Sequence, residues 1–574
     1  MRFHIAALIF LSLTASIARP TNAFAASADS ASNAARVDQL FQPWNMPGSP
    51  GCAVAVMKDG RIIYERGYGM ADLAHDVKIT PGTVFHVASM SKQFTATSIL
   101  MLAQDGKLSL DDPIRKYIPE LPDFGVPITL RELLHHISGL RDQWELLVFD
   151  GWRLDSPDLV TDGDILYLMS RQRELNFPPG EDFIYCNTGY TLLAQVVDRV
   201  SGQSLREFTT SRVFQPLGMK STHFRDDHAE VVKNIAYAYE PGDHGFEFSI
   251  PNFDTVGATS LLTTVEDLAR WDENFYTEQV GGAKVIQQLQ ERGKLNDGTP
   301  LHYAAGLYLY DYRGLKVVDH NGGDAGYVAD MMRFPEQHFS AATLCNLSSI
   351  DPSELNKHIA DIYLADRLRP VPAAGAPYQA SPEQLRSRAG TYINSSGGRD
   401  GVARLRYRDG ALWADAYIGP SFKLEALSAS RFRLPKFSLD YDFSGDSGTY
   451  FILTSESDEV GSGKSNRFDR VAADTPSAEQ LRDFVGTYRS RELDVPYLVT
   501  SEKDRLILHP PKIAPFPLLP VTGDLFTGGD WRIRFTRAPH RRVSGFLINT
   551  GRTRNLRFER APTEERDYFL RLSR

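Results

Sequence analysis

Cysteine is scarce in this chain of 574 residues, which carries only Cys52, Cys186 and Cys345. Three cysteines cannot build a disulfide framework, and their spacing matches no metal-ligand pattern. Each lies in a mainly apolar stretch, where a buried free thiol is the ordinary state. A Cys52–Cys345 bridge requires their two strands to be neighbours, which sequence does not decide. No apolar run reaches the ~18 residues of a membrane span, so no span is expected in the mature chain. H-E-x-x-H and G-x-S-x-G are absent, and His135-His136 are adjacent, a poor pair for one metal. Gly461-Ser462-Gly463-Lys464-Ser465 echoes a phosphate loop, but the first glycine of that pattern falls on Asp458. No basic-aromatic patch is concentrated anywhere, which excludes nucleic acid as a partner. Nothing calls for a metal or a cofactor.

What is present begins with a leader. Arg2, an apolar run from Ile5 to Ile17, and Ala23-Phe24-Ala25 form a signal-peptide pattern over residues 1–25, with cleavage after Ala25. The protein is therefore expected to be secreted or periplasmic. Charge is uneven: residues 371–574 balance at +6 and the remainder at −15. Such a split suits docking of one part on the other, or weak contact of a basic surface with anionic cell-wall polymers. Homo-oligomerisation is left open.

The chain divides at a stretch rich in proline and alanine, residues 369–382. Residues 26–368 form the first domain. There Gly51 to Tyr64 reads as a hairpin turning at Asp59-Gly60, and apolar helices start near Ser89, Gly189 and Glu266. Strands are expected at 304–310, 315–319, 328–334 and 340–347. Strands at both ends with helices between them imply one sheet built from distant parts of the chain. Beyond the linker lies a repeat. Gln384-Leu385-Arg386 with Gly390-Thr391-Tyr392 returns as Gln480-Leu481-Arg482 with Gly486-Thr487-Tyr488. Two small antiparallel β-barrels, 383–475 and 476–574, fit the alternating strands of each unit.

Three patterns carry chemistry. Ser89-Met90-Ser91-Lys92 puts a lysine one helical turn from a serine, entering a helix with no other charge until Asp105. A desolvated lysine loses part of its charge and can take the proton of a serine nucleophile. Tyr185-Cys186-Asn187 sits in a turn before an apolar helix, placed to face Tyr185 and Asn187 into a cleft. Tyr392-Ile393-Asn394 matches that pattern too, but belongs to the repeated unit. His320-Asn321-Gly322-Gly323 follows a strand, where glycines allow close backbone approach and the Gly323 N–H can serve as an oxyanion donor.

In this order the three patterns resemble the motifs of the serine β-lactamase and penicillin-binding protein superfamily, in the branch with a tyrosine second motif. The resemblance spans roughly residues 36–368, and the two barrels resemble the D-aminopeptidase architecture. It implies a β-lactamase-like α/β (α+β) catalytic domain, an antiparallel sheet with helices on both faces, followed by two lipocalin-like barrels. It further implies an acyl-serine mechanism: Ser89 attacks, Lys92 and Tyr185 share the acid and base roles, and Asn187 binds a substrate amide. Ser89 and Gly323 form the oxyanion hole, beside Gly322, and His320 takes a substrate-binding place. The departure is His320 itself, where the superfamily mostly has a lysine suited to a substrate carboxylate. A mostly neutral histidine favours substrates lacking that carboxylate. The expectation is an exported hydrolase of short peptides containing D-amino acids. A carboxylesterase is the alternative, ahead of a β-lactamase, a D,D-carboxypeptidase or an inactive cell-wall sensor.

Overall fold

The computed structural model describes residues 28–154, 158–370, 378–394, 400–415, 421–435, 439–445, 448–455, 465–539 and 542–562. The expected signal peptide, the centre of the expected linker and Gly461 to Lys464 lie outside the described residues. The first domain is built on six antiparallel strands: β1 Cys52–Lys58, β2 Arg61–Tyr68, β3 Tyr308–Tyr312, β4 Leu315–Asp324, β5 Tyr327–Phe334 and β6 Phe339–Cys345. Their order is β3-β4-β5-β6-β1-β2, so the ends of the domain meet at the β1–β6 pair. β1 is buried on both faces, which explains its nearly unbroken apolar sequence. Cys52, Val54 and Val56 enter one core, against the helices α1 Ala28–Phe41 and α6 Pro352–Tyr363. Ala53, Ala55 and Met57 enter the other, with α2 Lys92–Gln104, α4 Asn187–Ser201 and α5 Val265–Thr277. Thr264 caps α5 by accepting from the Asp267 N–H.

Two sequence expectations are corrected. β4 runs to Asp324 instead of ending at residue 319, because Asn321, Gly322 and Gly323 continue the ladder opposite Asp330, Ala329 and Val328. The glycines lie within an edge-proximal strand, not after it. Cys52 and Cys345 are directly opposed across β1 and β6, and are joined in a disulfide. The free-thiol reading fails for those two because the strands are neighbours. It holds for Cys186, whose thiol burial pushes up to about 12.

The repeat becomes two related sheets. In each, a serine-capped turn of helix, Pro382–Arg388 or Ala478–Arg482, precedes the Gly-Thr-Tyr strand, and both show the capping box. Tyr392 and Tyr488 donate their hydroxyls to the carbonyls four residues back, of Arg388 and Phe484. Arg470 and Arg560 cover the two rings at 5.9 and 5.8 Å. The second unit is a closed eight-stranded barrel, and the first a nearly closed nine-stranded sheet.

The second barrel shares a continuous apolar core with the catalytic domain. Phe149 packs on Trp531 at 4.8 Å, and the Tyr497 hydroxyl donates to the Phe149 carbonyl at 2.8 Å. Arg141 and Glu492 meet there in a fully buried ion pair, Nη1 to Oε2 2.5 Å. Arg141 also donates to the Arg554 carbonyl at 3.1 Å, and Glu492 accepts from the Arg173 N–H at 2.9 Å.

The bridge sets a direct test. Denatured without reductant, the protein is expected to expose one titratable thiol, and three after reduction. Cys52→Ser with Cys345→Ser should lower stability by about 2–5 kcal/mol in denaturant unfolding. Three thiols before reduction would rule the bridge out.

Candidate active site

The surroundings of Ser89, the expected nucleophile, start from backbone strain. The strand Phe85–His86 leads into a tight turn, Ala88–Ser91, from which α2 departs. Ala88 is buried at φ +46°, a left-handed conformation costing a β-carbon residue roughly 1–2 kcal/mol. Ser91 holds the turn by donating to the Ala88 carbonyl at 2.5 Å and accepting from the Leu261 N–H at 3.0 Å. β4 lies directly against it. A β-carbon on Gly322 would stand 2.2 Å from the Val87 oxygen and 3.0 Å from the Ser89 nitrogen, so only glycine permits this approach. The result leaves Ser89 half-buried at the wall of a cavity, with Gly323 beside it.

Lys92 has no exposed surface. Its Nζ donates to Ser89 Oγ at 2.9 Å, Asn187 Oδ1 at 2.8 Å and the Ala258 carbonyl at 2.8 Å. Desolvation lowers its pKa to about 7; Asp324 and Asp142 oppose that shift, and Arg552 adds to it. Near neutrality the lysine is thus divided between two forms. As an ammonium it spends three N–H donors on three acceptors. As an amine it presents a lone pair to the Ser89 hydroxyl, the arrangement needed to activate that oxygen.

Asn187 is held for the lysine. Its side-chain Nδ2 and backbone N–H both donate to Asp142 Oδ2, at 2.9 and 2.7 Å, which turns Oδ1 toward Nζ. Asp142 is itself the N-cap of α3 Gln143–Phe149, accepting from the Trp144 N–H at 3.1 Å. Tyr185 stacks over the same centre, with Nζ 4.8 Å from its ring. Behind it His136, in a left-handed conformation at φ +57°, accepts the Cys186 N–H on Nδ1 at 3.1 Å and packs its ring 4.2 Å from that of Tyr185. Burial, with the Lys92 charge second, holds His136 well below its ordinary pKa, so it stays neutral.

His320 departs from the expected substrate-binding place. It is 1% exposed and does not line the cavity. Its Nδ1 is 2.6 Å from the Asn321 carbonyl and must carry the hydrogen, which leaves Nε2 to accept from the Tyr303 hydroxyl at 3.1 Å. Desolvation, then Lys92, lowers its pKa to about 3. The ring fills a cage of Tyr185, Tyr303 and Tyr308. An imidazole with both nitrogens committed packs against Tyr185 from behind.

The cavity measures about 620 Å³ and is walled by Ser89, Tyr185, Asn187, Gly323, Asp324 and Arg552, among others. Sequence reasoning brought the first four together and missed the last two, along with Asp142 and His136. Asp324 had a visible signal, an acid directly after His320-Asn321-Gly322-Gly323. Arg552 had none, since it lies 463 positions from Ser89, in the loop between the barrel strands Val543–Asn549 and Leu556–Arg560. A second cavity, about 550 Å³ between β2 and α5, contains no serine beside a base.

Comparison with known proteins places this geometry. The beta-lactamase family model matches residues 37–364. A D-aminopeptidase of Brucella ovis is 25% identical over 545 residues, 90% of this chain and 97% of that relative. Among solved structures, the octameric penicillin-binding protein homologue from Pyrococcus abyssi superposes with TM-score 0.51 at 24% identity, covering 73% of this chain and 95% of its own. A D-amino acid amidase from Ochrobactrum anthropi gives TM-score 0.50 at 23% identity, covering 58% of this chain and 99% of its own.

The lysine pKa can be read out without a substrate. Phosphonylation of Ser89 by an uncharged aryl phosphonate should rise with pH through an apparent pKa near 7, because only the amine form accepts the serine proton. Lys92→Ala should slow it by about 10²–10⁴-fold and abolish that limb. A wild-type rate independent of pH from 5 to 9 would remove Lys92 as the base.

Proposed function

This chain belongs to the beta-lactamase family and is a serine hydrolase, and on that footing we propose that it is an exported amide hydrolase releasing N-terminal D-amino acids from short peptides. The observation that carries the reading is the Ser89–Lys92 hydrogen bond with Asn187 and Tyr185 around it. Similarity to the Brucella enzyme supports the D-amino acid preference, because it extends through both barrels. The disulfide between Cys52 and Cys345 supports export, since such bonds persist in oxidising compartments.

In the proposed cycle neutral Lys92 takes the Ser89 proton as Oγ attacks the scissile carbonyl. The negative charge that develops on the carbonyl oxygen is met by the N–H groups of Ser89 and Gly323. Collapse breaks the C–N bond; the leaving amine takes a proton through Tyr185, which Lys92 replenishes. Water then attacks the acyl-serine, passing its proton through Tyr185 to Lys92; collapse breaks the bond to Oγ, Ser89 recovers the proton from Lys92, and the free acid departs. Asn187 orients Lys92 in addition to its expected role, and its position on the cavity wall keeps it within reach of a substrate amide.

Hydrolysis of D-alanine nitroanilide, with the L-enantiomer and a short-chain nitrophenyl ester in parallel, tests the proposal. Turnover of the D-anilide at least 10²-fold above the L-form, lost in Ser89→Ala, is expected. Ester turnover without anilide turnover would make the protein a carboxylesterase.

A further inference from the structure

We propose that Arg552, carried into the cleft by the second barrel, is the receptor for the free carboxylate of the leaving residue, so that the preferred substrates are zwitterionic dipeptides whose ammonium meets Asp324. The dipeptide part of this inference and its placement of Arg552 on the leaving-group side rest on the amide-hydrolase reading above; a carboxylate receptor on the cavity wall does not.

Arg552 is built into place by its backbone. Its N–H donates to Glu145 Oε1 at 3.0 Å and its carbonyl accepts from Asn176 Nδ2 at 2.8 Å. On either side of it Thr550 donates its hydroxyl to Glu145 at 2.5 Å, and the Arg554 N–H donates to Asn176 Oδ1 at 2.7 Å. Arg554 adds an ion pair with Asp182 at 2.9 Å, with both side chains largely buried. With the main chain fixed, the Arg552 side chain extends over Tyr185, its guanidinium carbon 4.9 Å from the ring centroid, and lines the cavity with Ser89. Among the described residues it is the one arginine or lysine on that wall. A guanidinium offers a planar fork of donors that matches a carboxylate.

Position decides which end of a substrate it meets. Arg552 covers Tyr185, the group that in the proposed cycle hands a proton to the leaving amine, so it lies on the leaving-group side. Asp324 ends β4 immediately after Gly323, whose N–H meets the acyl carbonyl in the proposed cycle. His86 Nε2 at 3.0 Å and the Thr259 hydroxyl hold one of its carboxylate oxygens, and the residue lines the same cavity. Both charges line the cavity that holds Ser89. A cation on the leaving side and an anion on the acyl side complement a dipeptide with both termini free. His320 is too buried to offer a charge, so the barrel supplies the one the strand lacks.

Two probes separate this from the reading beneath it. The first is an aryl phosphonate whose phenolate leaving group bears a carboxylate, compared with the same reagent lacking it. The wild type should be phosphonylated at Ser89 about 10–100-fold faster by the carboxylate form, Arg552→Met should erase that preference, and Arg552→Lys should restore part of it. The second is a D-alanyl-glycine dipeptide against its C-terminal amide. The acid should be preferred by a similar factor, expressed in KM, and Arg552→Met should collapse the ratio; Asp324→Asn should raise KM for the dipeptide over its N-acetyl form. Equal phosphonate ratios in wild type and Arg552→Met would overturn the receptor. A retained phosphonate preference with no cleavage of D-peptides would keep the receptor and defeat the dipeptide assignment and the aminopeptidase reading with it.

Discussion

A lysine without water organises this active site. Placing an ammonium among Ser89, Asn187 and the Ala258 carbonyl removes it from solvent, and the structure offsets that loss only in part. Three acceptors and the distant Asp324 and Asp142 charges stabilise the cation, while burial and Arg552 oppose it. The balance leaves the pKa near 7, where proton transfer in either direction costs little. Much of the neighbourhood follows from that requirement. Asp142 must turn Asn187 so that oxygen, not nitrogen, faces Nζ. Ala88 takes a left-handed backbone where the strand Phe85–His86 turns into the segment that carries Ser89 and Lys92. Residue 322 must be glycine for β4 to lie against that turn.

The second constraint is electrostatic and sits at the domain boundary. Arg141 and Glu492 are both withdrawn from water at the junction with the second barrel. Separating them would strand a charge in an apolar interior, at about 3–5 kcal/mol for a buried pair broken on one side. Asp142, which orients Asn187, is the next residue in the chain. The contact that docks the barrel and the contact that aims the catalytic amide are therefore consecutive along one backbone. The apolar core around Phe149 and Trp531 continues the same junction.

How much of this is legible in the sequence depends on distance and on chemistry. Ser89, Lys92, Tyr185 and Asn187 are recognisable because each motif is local and each residue type has a reason to be there. The repeat is legible because Gln-Leu-Arg and Gly-Thr-Tyr recur, and the structure shows both capping boxes and both tyrosine-to-carbonyl bonds. The Cys52–Cys345 bridge was hidden because register between strands 293 residues apart is a tertiary property. His320 misled for a different reason: a motif position predicts where the backbone runs, whereas burial decides what the side chain does. Two of the tyrosines that surround it, Tyr303 and Tyr308, lie five residues apart and the third, Tyr185, comes from far earlier in the chain; together they turn a candidate ligand into packing.

Arg552 shows why a barrel so far along the chain belongs to the active site. A loop that carries a charge into a cleft is useful only if its position is fixed to within a fraction of a hydrogen-bond length. Free loops of six residues do not meet that demand, and this one does so by borrowing Glu145 and Asn176 from the catalytic domain. At residues 552 and 554 those anchors bind backbone atoms, so they fix the path there without dictating the Arg552 side chain, whereas Thr550 is held through its own hydroxyl. Position 552 can thus change its chemistry while the course of the loop is preserved, as long as Arg141, Glu492 and the shared core hold the barrel in place. In this design the catalytic domain supplies the reaction and the barrel supplies a surface on which its selectivity is written.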